Sequence, residues 1–516
     1  MIKHFAIIAL STFLLIHWAT GKANPPNVLL ITADDLNWDS LGCTGNPLPG
    51  LSPNIDKLAS EGILIENCHI ATPICGPSRE ALYTGQFPQS NGYMGHGVQP
   101  PTWWKTSRQK TSTESIATIL NKNGYLTGVV GKHGSTKCKF SVSPFGENNE
   151  TGMGRDPARY FSFIRDFLKQ AKEEGKPFYL AANTHDPHRF WARHPSETSG
   201  WINTTMKDAA WKPYPNGKPY PDPNIHYTTD QIPMPPSYPN DSRFKESLSY
   251  YFGSVNRMDM VVGEILRALD ESELADNTIV LFLSDHGLAW EMSKWSLYPS
   301  GTKTPLIVRW PNNIKSKQID SQSVLSVVDI APTLAEICRV GPMLHTDGMS
   351  FKNLLSGDRS QWKRKEAFSC FNYLNNEREH DQAISAYTDD MYQKLDQYRP
   401  SRALSSANFT YIWNAWSDGR TETPSTMGRE FTHLLKRYAK NPEDSSFPNY
   451  EKHADFISKR IPEEFYDVSK DPGCLNNLAD APAYRVTLNQ FRKKMKKTLR
   501  DTQDHEFANY ETFLSQ

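Results

Sequence analysis

Short apolar runs alternate with amphipathic stretches through the first two thirds of the chain, and polar or charged residues recur just past the apolar runs. In residues 27–32 the apolar positions run unbroken from Val28 to Ile31, as expected for a strand covered on both faces. Similar runs predict strands over 63–70, 125–130, 178–183 and 277–283. Apolar residues at helical spacing predict helices over 54–62, 112–121, 158–174, 247–269 and 329–340. The second of these carries Ile116, Ile119 and Leu120 and stops at Asn123-Gly124. A further helix-forming run opens after Pro77. This alternation predicts an α/β fold of the doubly wound kind, with ligands gathered beyond the carboxyl ends of the strands. From about residue 350 charge rises and the long apolar runs disappear, leaving strand-like pieces such as 409–413. We therefore expect a main unit over 24–350 and a smaller C-terminal subdomain over 351–516. The stretch 212–241, dense in Pro, Tyr and Asn, has no period and reads either as a substrate-lining insertion or as a plain surface loop.

The residues that follow the predicted strands carry the candidate chemistry. The first strand ends in Ala33-Asp34-Asp35. Adjacent carboxylates repel unless a cation lies between them, although an aspartate pair capping the next helix explains them equally well. The strand over 125–130 delivers Gly131-Lys132-His133-Gly134, that over 178–183 delivers Thr184-His185-Asp186-Pro187-His188, and that over 277–283 delivers Ser284-Asp285-His286-Gly287. A lone histidine at a strand end is more often a satisfied polar residue than a ligand, and His188 is read that way. Cys75-Gly76-Pro77-Ser78-Arg79 stands at the start of the helix-forming run. Unpaired N–H groups and the helix dipole favour a thiolate or an anionic ligand there, and Arg79 adds a fixed, forked cation.

Charge narrows the possible partners. Lysine plus arginine and aspartate plus glutamate number 57 each, so the net charge is zero. No global field draws the chain to nucleic acid or an anionic membrane, and attraction for an anion must come from a local pocket. Lys3 and His4 precede an apolar run over 5–18 that ends in small residues at Ala19, Gly21 and Ala23. Residues 1–23 are expected to be a cleaved signal peptide, which makes the mature protein exported, periplasmic or secreted, without stable membrane association. Seven cysteines leave an odd one, and six could pair if Cys75 is converted to something else.

The run Cys-x-Pro-Ser-Arg followed by x-x-Leu-x-Thr-Gly (Cys75 to Gly85) resembles the signature of the type I sulfatases. His185 to Arg189, Asn256-Arg257-Met258-Asp259, and Glu464-Phe465-Tyr466-Asp467 through Asp471-Pro472 to Asn477-Leu478 look like heparan N-sulfatase (sulfamidase) and bacterial polysaccharide sulfatases. The likeness covers nearly all of the mature chain and is weakest at 190–245 and 360–450. It implies an alkaline-phosphatase-like sandwich with a central mixed, mostly parallel sheet, plus a smaller C-terminal α+β subdomain with an antiparallel sheet. It also implies that Cys75 is oxidised to formylglycine (3-oxoalanine) by a formylglycine-generating enzyme. Asp34, Asp35, Asp285, His286 and the modified residue 75 then bind one divalent cation, Ca²⁺ or possible Mg²⁺, as three carboxylates suit a hard ion. Many family members have Asn where His286 stands.

The resemblance further implies that Arg79, Lys132, His133, His185 and Lys294 surround the sulfate. Lys132 and His133 are adjacent here, where the family commonly has Lys-x-His. One hydroxyl of the aldehyde hydrate attacks sulfur, His185 with Lys294 protonates the leaving oxygen, and the second hydroxyl, deprotonated by His133, expels sulfate. Lys303 is expected to face the substrate. The implied substrate is an O-sulfated carbohydrate. The alternatives are an N-sulfoglucosamine sulfohydrolase, a phosphonate or phosphate monoester hydrolase of the same fold, and an inactive glycan-binding relative.

Overall fold

The structure is a computed structural model that describes residues 25–95, 114–134, 138–142, 154–188, 191, 220–238, 240–373, 398–420 and 459–516. The expected signal peptide lies outside them, as do residues 212–219 of the irregular stretch and 112–113 of one expected helix. The described parts of that stretch, 220–238 and 240–241, form turns and irregular chain without helix or strand.

Seven strands form the main sheet: β1 (Asn27–Ala33), β2 (Ile63–His69), β3 (Leu126–Gly131), β4 (Phe178–Asn183), β5 (Thr278–Ser284), β6 (Lys303–Arg309) and β7 (Gln318–Ser326). Their order is β3-β4-β1-β5-β6-β2-β7. The β3–β4, β4–β1, β1–β5 and β2–β7 pairs are parallel, and only β6 runs against both of its neighbours. The sheet is therefore mixed and mostly parallel, and four adjacent strands, β3, β4, β1 and β5, end on the same edge.

Strand alternation divides the core between two faces. Leu29, Ile31, Leu180, Ala182, Val280 and Phe282 face one layer, with Ile164 and Phe167 of a helix at Pro157–Glu173 and Val255 and Val262 of a helix at Ser242–Glu271. Val28, Leu30, Tyr179, Ala181, Ile279 and Leu281 face the other, with Leu120 from the helix at Ile116–Lys122 and Leu334 from that at Ile330–Ile337. These runs contain no polar position because both faces are covered, which gives the α/β layering expected from the pattern and the sandwich implied by the resemblance.

A separate antiparallel sheet has the order β11-β10-β9-β8, from β8 (Ala367–Tyr373), β9 (Tyr398–Ser405), β10 (Phe409–Asn414) and β11 (Glu463–Asp467). Leu488, Phe491, Met495 and Leu499 of the helix at Arg485–Asp501 pack with Tyr411, Trp413 and Phe465 of this sheet. The sheet joins the main one where Cys370 N–H donates to Ala71 O at 2.9 Å.

A buried ion pair ties the turn after that helix to the small sheet. Arg402 on β9 donates through Nε to Asp504 Oδ2 at 2.7 Å and through Nη2 to Oδ1 at 2.8 Å, with neither side chain exposed. Burial pushes the Asp504 carboxyl up, but Arg402 and His505 outweigh it and hold its pKa below the usual value. The stabilisation is thus complete above the ordinary carboxylate pKa of about 4 and is lost only as pH falls through the depressed value. Asp504→Ala, which strands the guanidinium, is expected to lower unfolding stability by ~3–5 kcal/mol in urea denaturation at pH 7.

Among the described residues no helix is long and apolar enough to cross a membrane. No disulfide joins the described cysteines.

Candidate active site

The strand ends converge on Cys75. This residue is the first of the helix at Cys75–Thr84, so the helix begins two residues earlier than Pro77 suggested. Pro77 falls in the first turn, where the N–H it lacks would have no partner in the helix. Cys75 is 3% exposed. Its Sγ lies 3.6 Å from Asp34 Oδ1 and 3.0 Å from His286 Nε2. Burial and the Asp34 carboxylate push the thiol pKa up, but Lys132, Lys294 and His286 outweigh them and bring it well below the usual thiol value. The pocket therefore stabilises negative charge at the side chain of residue 75.

Three buried carboxylates surround it. Asp34 accepts from Arg79 Nη2 at 3.4 Å and forms a closer ion pair with Lys132. Burial alone would raise its pKa, but Lys132, His188, Arg79 and His185 hold it well below the ordinary range. Asp285 is gripped by Arg79 through Nε at 3.0 Å and Nη2 at 2.9 Å, and its carbonyl accepts from Ser78 Oγ at 2.6 Å. Asp35 has φ 64°, a left-handed conformation that aspartate tolerates better than most residues. Asp35 Oδ1 accepts from Lys294 Nζ at 2.8 Å and lies 3.2 Å from His286 Nδ1. Burial pushes the Asp35 pKa to about 6 despite Lys294 and His286.

Asp35 Oδ2 is buried without a hydrogen-bond partner. An oxygen left bare among three carboxylates fits a cation better than it fits a packed core. His286 suits the same purpose. Its Nδ1 lies 3.0 Å from Gly287 O, and a proton held there leaves a lone pair on Nε2 facing residue 75. Two sets, Asp34–Asp35–Cys75–His188 and Asp34–Cys75–Asp285–His286, each bring their ligand atoms within 4.8 Å of one another and could hold a metal ion. The three carboxylates are matched by Arg79, Lys132 and Lys294. A bound dication would leave the pocket positive and ready for an anion.

The cations are fixed by neighbours rather than by chance. Arg79 Nη1 donates to Thr32 Oγ1 at 2.7 Å, Thr32 Oγ1 to Asn183 Oδ1 at 2.7 Å, and Asn183 Nδ2 to Lys132 O at 2.7 Å. Gly134 has φ +62° and crosses so close to Arg79 that a Cβ there would lie 2.6 Å from Arg79 Cδ. Lys294 comes from the loop between β5 and β6, between the left-handed residues Met292 and Trp295, and Trp295 N–H donates to Pro73 O at 3.0 Å beside Cys75.

Most of the residues expected from the sequence meet here: Asp34, Asp35, Cys75, Arg79, Lys132, His185, Asp285, His286 and Lys294. His185 joins them through its ring, whose centroid is 4.9 Å from that of His188, and burial, Arg155 and Lys132 push its pKa well down against the pull of Asp34. Two residues differ. His133 turns its ring edge-on to Phe140, with centroids 5.4 Å apart, and the contact that ties this loop to the carboxylates runs through Lys132. Lys303 places its ammonium 4.1 Å from the centroid of the Trp38 ring, with Glu66 and Asp39 as its charged neighbours.

His188, set aside as a satisfied polar residue, belongs to the site instead. Its Nε2 is 3.9 Å from the bare Asp35 Oδ2, its ring centroid is 4.9 Å from that of His185, and 28% of its side chain is exposed. The His-x-x-His spacing across Asp186-Pro187 was the signal available in the sequence.

Comparison with known proteins agrees with this geometry. The sulfatase family model matches residues 26–340, and a model described as N-sulphoglucosamine sulphohydrolase, C-terminal, matches 286–402. The chain is 25% identical over 488 residues to human N-sulphoglucosamine sulphohydrolase, covering 94% of this chain and 91% of that protein. It is 26% identical over 481 residues to an ulvan-active sulfatase of Formosa agariphila, covering 92% and 80%. The phosphonate monoester hydrolase of Agrobacterium radiobacter shares the fold, with a TM-score of 0.59 at 17% identity over 92% of this chain and 96% of that one.

Proposed function

The chain belongs to the sulfatase family, whose members hydrolyse sulfate esters, and we propose that it removes O-sulfate from a carbohydrate, with formylglycine at position 75. The observation that carries this reading is the Cys75 side chain, buried at a helix start between three carboxylates and three fixed cations. Formylglycine supplies, as its hydrate, a nucleophilic hydroxyl and a second hydroxyl from which the aldehyde can be regenerated. Asp34, Asp35, Asp285 and His286 would hold Ca²⁺, or Mg²⁺, which supplies positive charge and lowers the pKa of a hydroxyl at residue 75.

The remaining work falls to the chain's own side chains. Arg79 and Lys132 hold Asp34 and Asp285 in place and offer positive charge to the sulfate oxygens. Lys294 does the same from the Asp35 side. His185 and His188 form the more exposed wall, and the arrival of an anionic sulfate raises their pKa and lets them deliver a proton to the leaving oxygen. Lys294→Met is expected to lower kcat/KM by about 10²–10³-fold, the usual effect of losing one preorganised donor to developing negative charge. Steady-state sulfate release from 4-nitrophenyl sulfate measures it.

The ulvan-active relative supports an O-sulfated polysaccharide as the source of the substrate. The human relative and the C-terminal model favour a second reading, an N-sulfated glucosamine. The N-terminal apolar run supports export to the periplasm or medium, and the Cys75 signature supports maturation by a formylglycine-generating enzyme. Sulfate release from a panel of defined O- and N-sulfated oligosaccharides, beside sulfate and phosphate release from the same aryl group, tests the proposal. O-desulfation with sulfate well above phosphate is expected. Release of N-sulfate alone selects the second reading, and preferred phosphate or phosphonate release overturns both.

A further inference from the structure

Behind the two histidines lies a charged group that the chemistry above leaves unused. Asp186, between His185 and His188, is fully buried and paired with two arginines. Arg155 Nε donates to its Oδ1 at 2.7 Å, Arg257 Nε to its Oδ2 at 2.6 Å and Arg257 Nη2 to its Oδ1 at 3.0 Å. Arg155 Nη2 also donates to His188 O at 2.9 Å, and the Asp186 carbonyl accepts from Thr184 Oγ1 at 3.0 Å and from Asp34 N–H at 3.4 Å. Arg155 precedes the helix at Pro157–Glu173 and Arg257 lies within that at Ser242–Glu271, so two helices reach the segment through one carboxylate. Arg257 Nη1 donates to Pro221 O at 3.2 Å, and the Tyr220 ring lies 5.1 Å from Arg155 and 5.8 Å from Arg257.

Burying two guanidinium groups on one carboxylate costs solvation that an apolar trio of similar volume would not lose. The forked donors instead fix the carboxylate's orientation. We infer that Arg155, Asp186 and Arg257 are positioning residues that hold the His185–His188 segment in register with the leaving oxygen. The inference rests on the proposed sulfatase reaction. Their side chains reach the segment that carries the two histidines, and the link to the carboxylates given above is the backbone bond from Asp34 N–H to the Asp186 carbonyl, so a selective loss on poor leaving groups marks an effect that passes through the histidines.

The test uses the full, formylglycine-bearing chain and aryl sulfates of graded phenol acidity, from 4-nitrophenyl to phenyl sulfate. A good leaving group departs without a proton and a poor one needs it. In Arg257→Lys and Asp186→Asn, kcat/KM for 4-nitrophenyl sulfate is expected to fall about tenfold or less, and that for phenyl sulfate by about 10²–10³-fold, within the range of general acid catalysis. Partial loss of folded protein would reduce all substrates by one factor. An equal loss across the series, wild-type rates throughout, or failure of both these variants and Arg155→Lys to fold overturns the inference. A wild-type chain that cleaves none of the aryl sulfates and none of the sulfated oligosaccharides contradicts the sulfatase reading itself.

Discussion

Cys75→Ala is expected to release sulfate on the order of 10⁵-fold or more slowly than wild type, since the substitution removes the nucleophile and leaves its surroundings in place. Asp34, Asp285 and Arg79 are held to one another and to Thr32, and none of those bonds passes through Cys75. Alanine is smaller than cysteine, so the helix start at residue 75 should persist and the variant should still bind sulfated ligands. Cys75→Ser is the sharper comparison. It keeps an oxygen at the position, but a single hydroxyl that has taken up the sulfate has no second hydroxyl from which to expel it. Near-wild-type turnover by Cys75→Ser would sink the formylglycine mechanism.

Asp35→Asn is expected to cost at least ~10³-fold in kcat/KM, more than the loss of a single donor, because it removes the metal's charge as well as a ligand. Asp35 carries the one cluster carboxylate oxygen found buried and without a partner, and it also anchors Lys294. An amide in its place offers one neutral oxygen and a donor that faces cations. Elemental analysis of the purified variant should show the divalent ion of the wild type missing. Chelation of the wild type should abolish activity reversibly, with Ca²⁺ restoring it. Ca²⁺ at a hundred times its dissociation constant should stabilise the chelated wild type by ~2.7 kcal/mol and leave Asp35→Asn unchanged. Full activity in a metal-free wild type would contradict the role given to the carboxylates.

The sequence makes five strands of the main sheet visible, β1 to β5, and hides β6 and β7 for definable reasons. Residues 178–183 were expected as a strand and form Phe178–Asn183, because a run covered on both faces has no polar interruption to blur it. β7 begins with exposed Gln318 and Ile319, so its apolar signal starts late, and β6 begins with the partly exposed Lys303. Neither announced its register, which depends on the 285–302 loop reversing the chain. At the site, Asp34, Asp35, Asp285 and Cys75 were legible because each stands immediately after a strand or at a helix start.

The choice between Lys132 and His133 was not. Adjacent residues leaving a strand point to opposite sides, and nothing local says which side faces the carboxylates. His188 was missed because its place depends on Asp186, whose arginine partners lie 31 and 71 residues away.

Mass spectrometry of the peptide containing Cys75, taken from protein made in its native source and shown to release sulfate, tests the central claim most directly. The account predicts an aldehyde at position 75, seen as a formylglycine residue mass that shifts on reaction with a hydrazide. An unmodified thiol at position 75 in protein that turns over sulfate esters would contradict it.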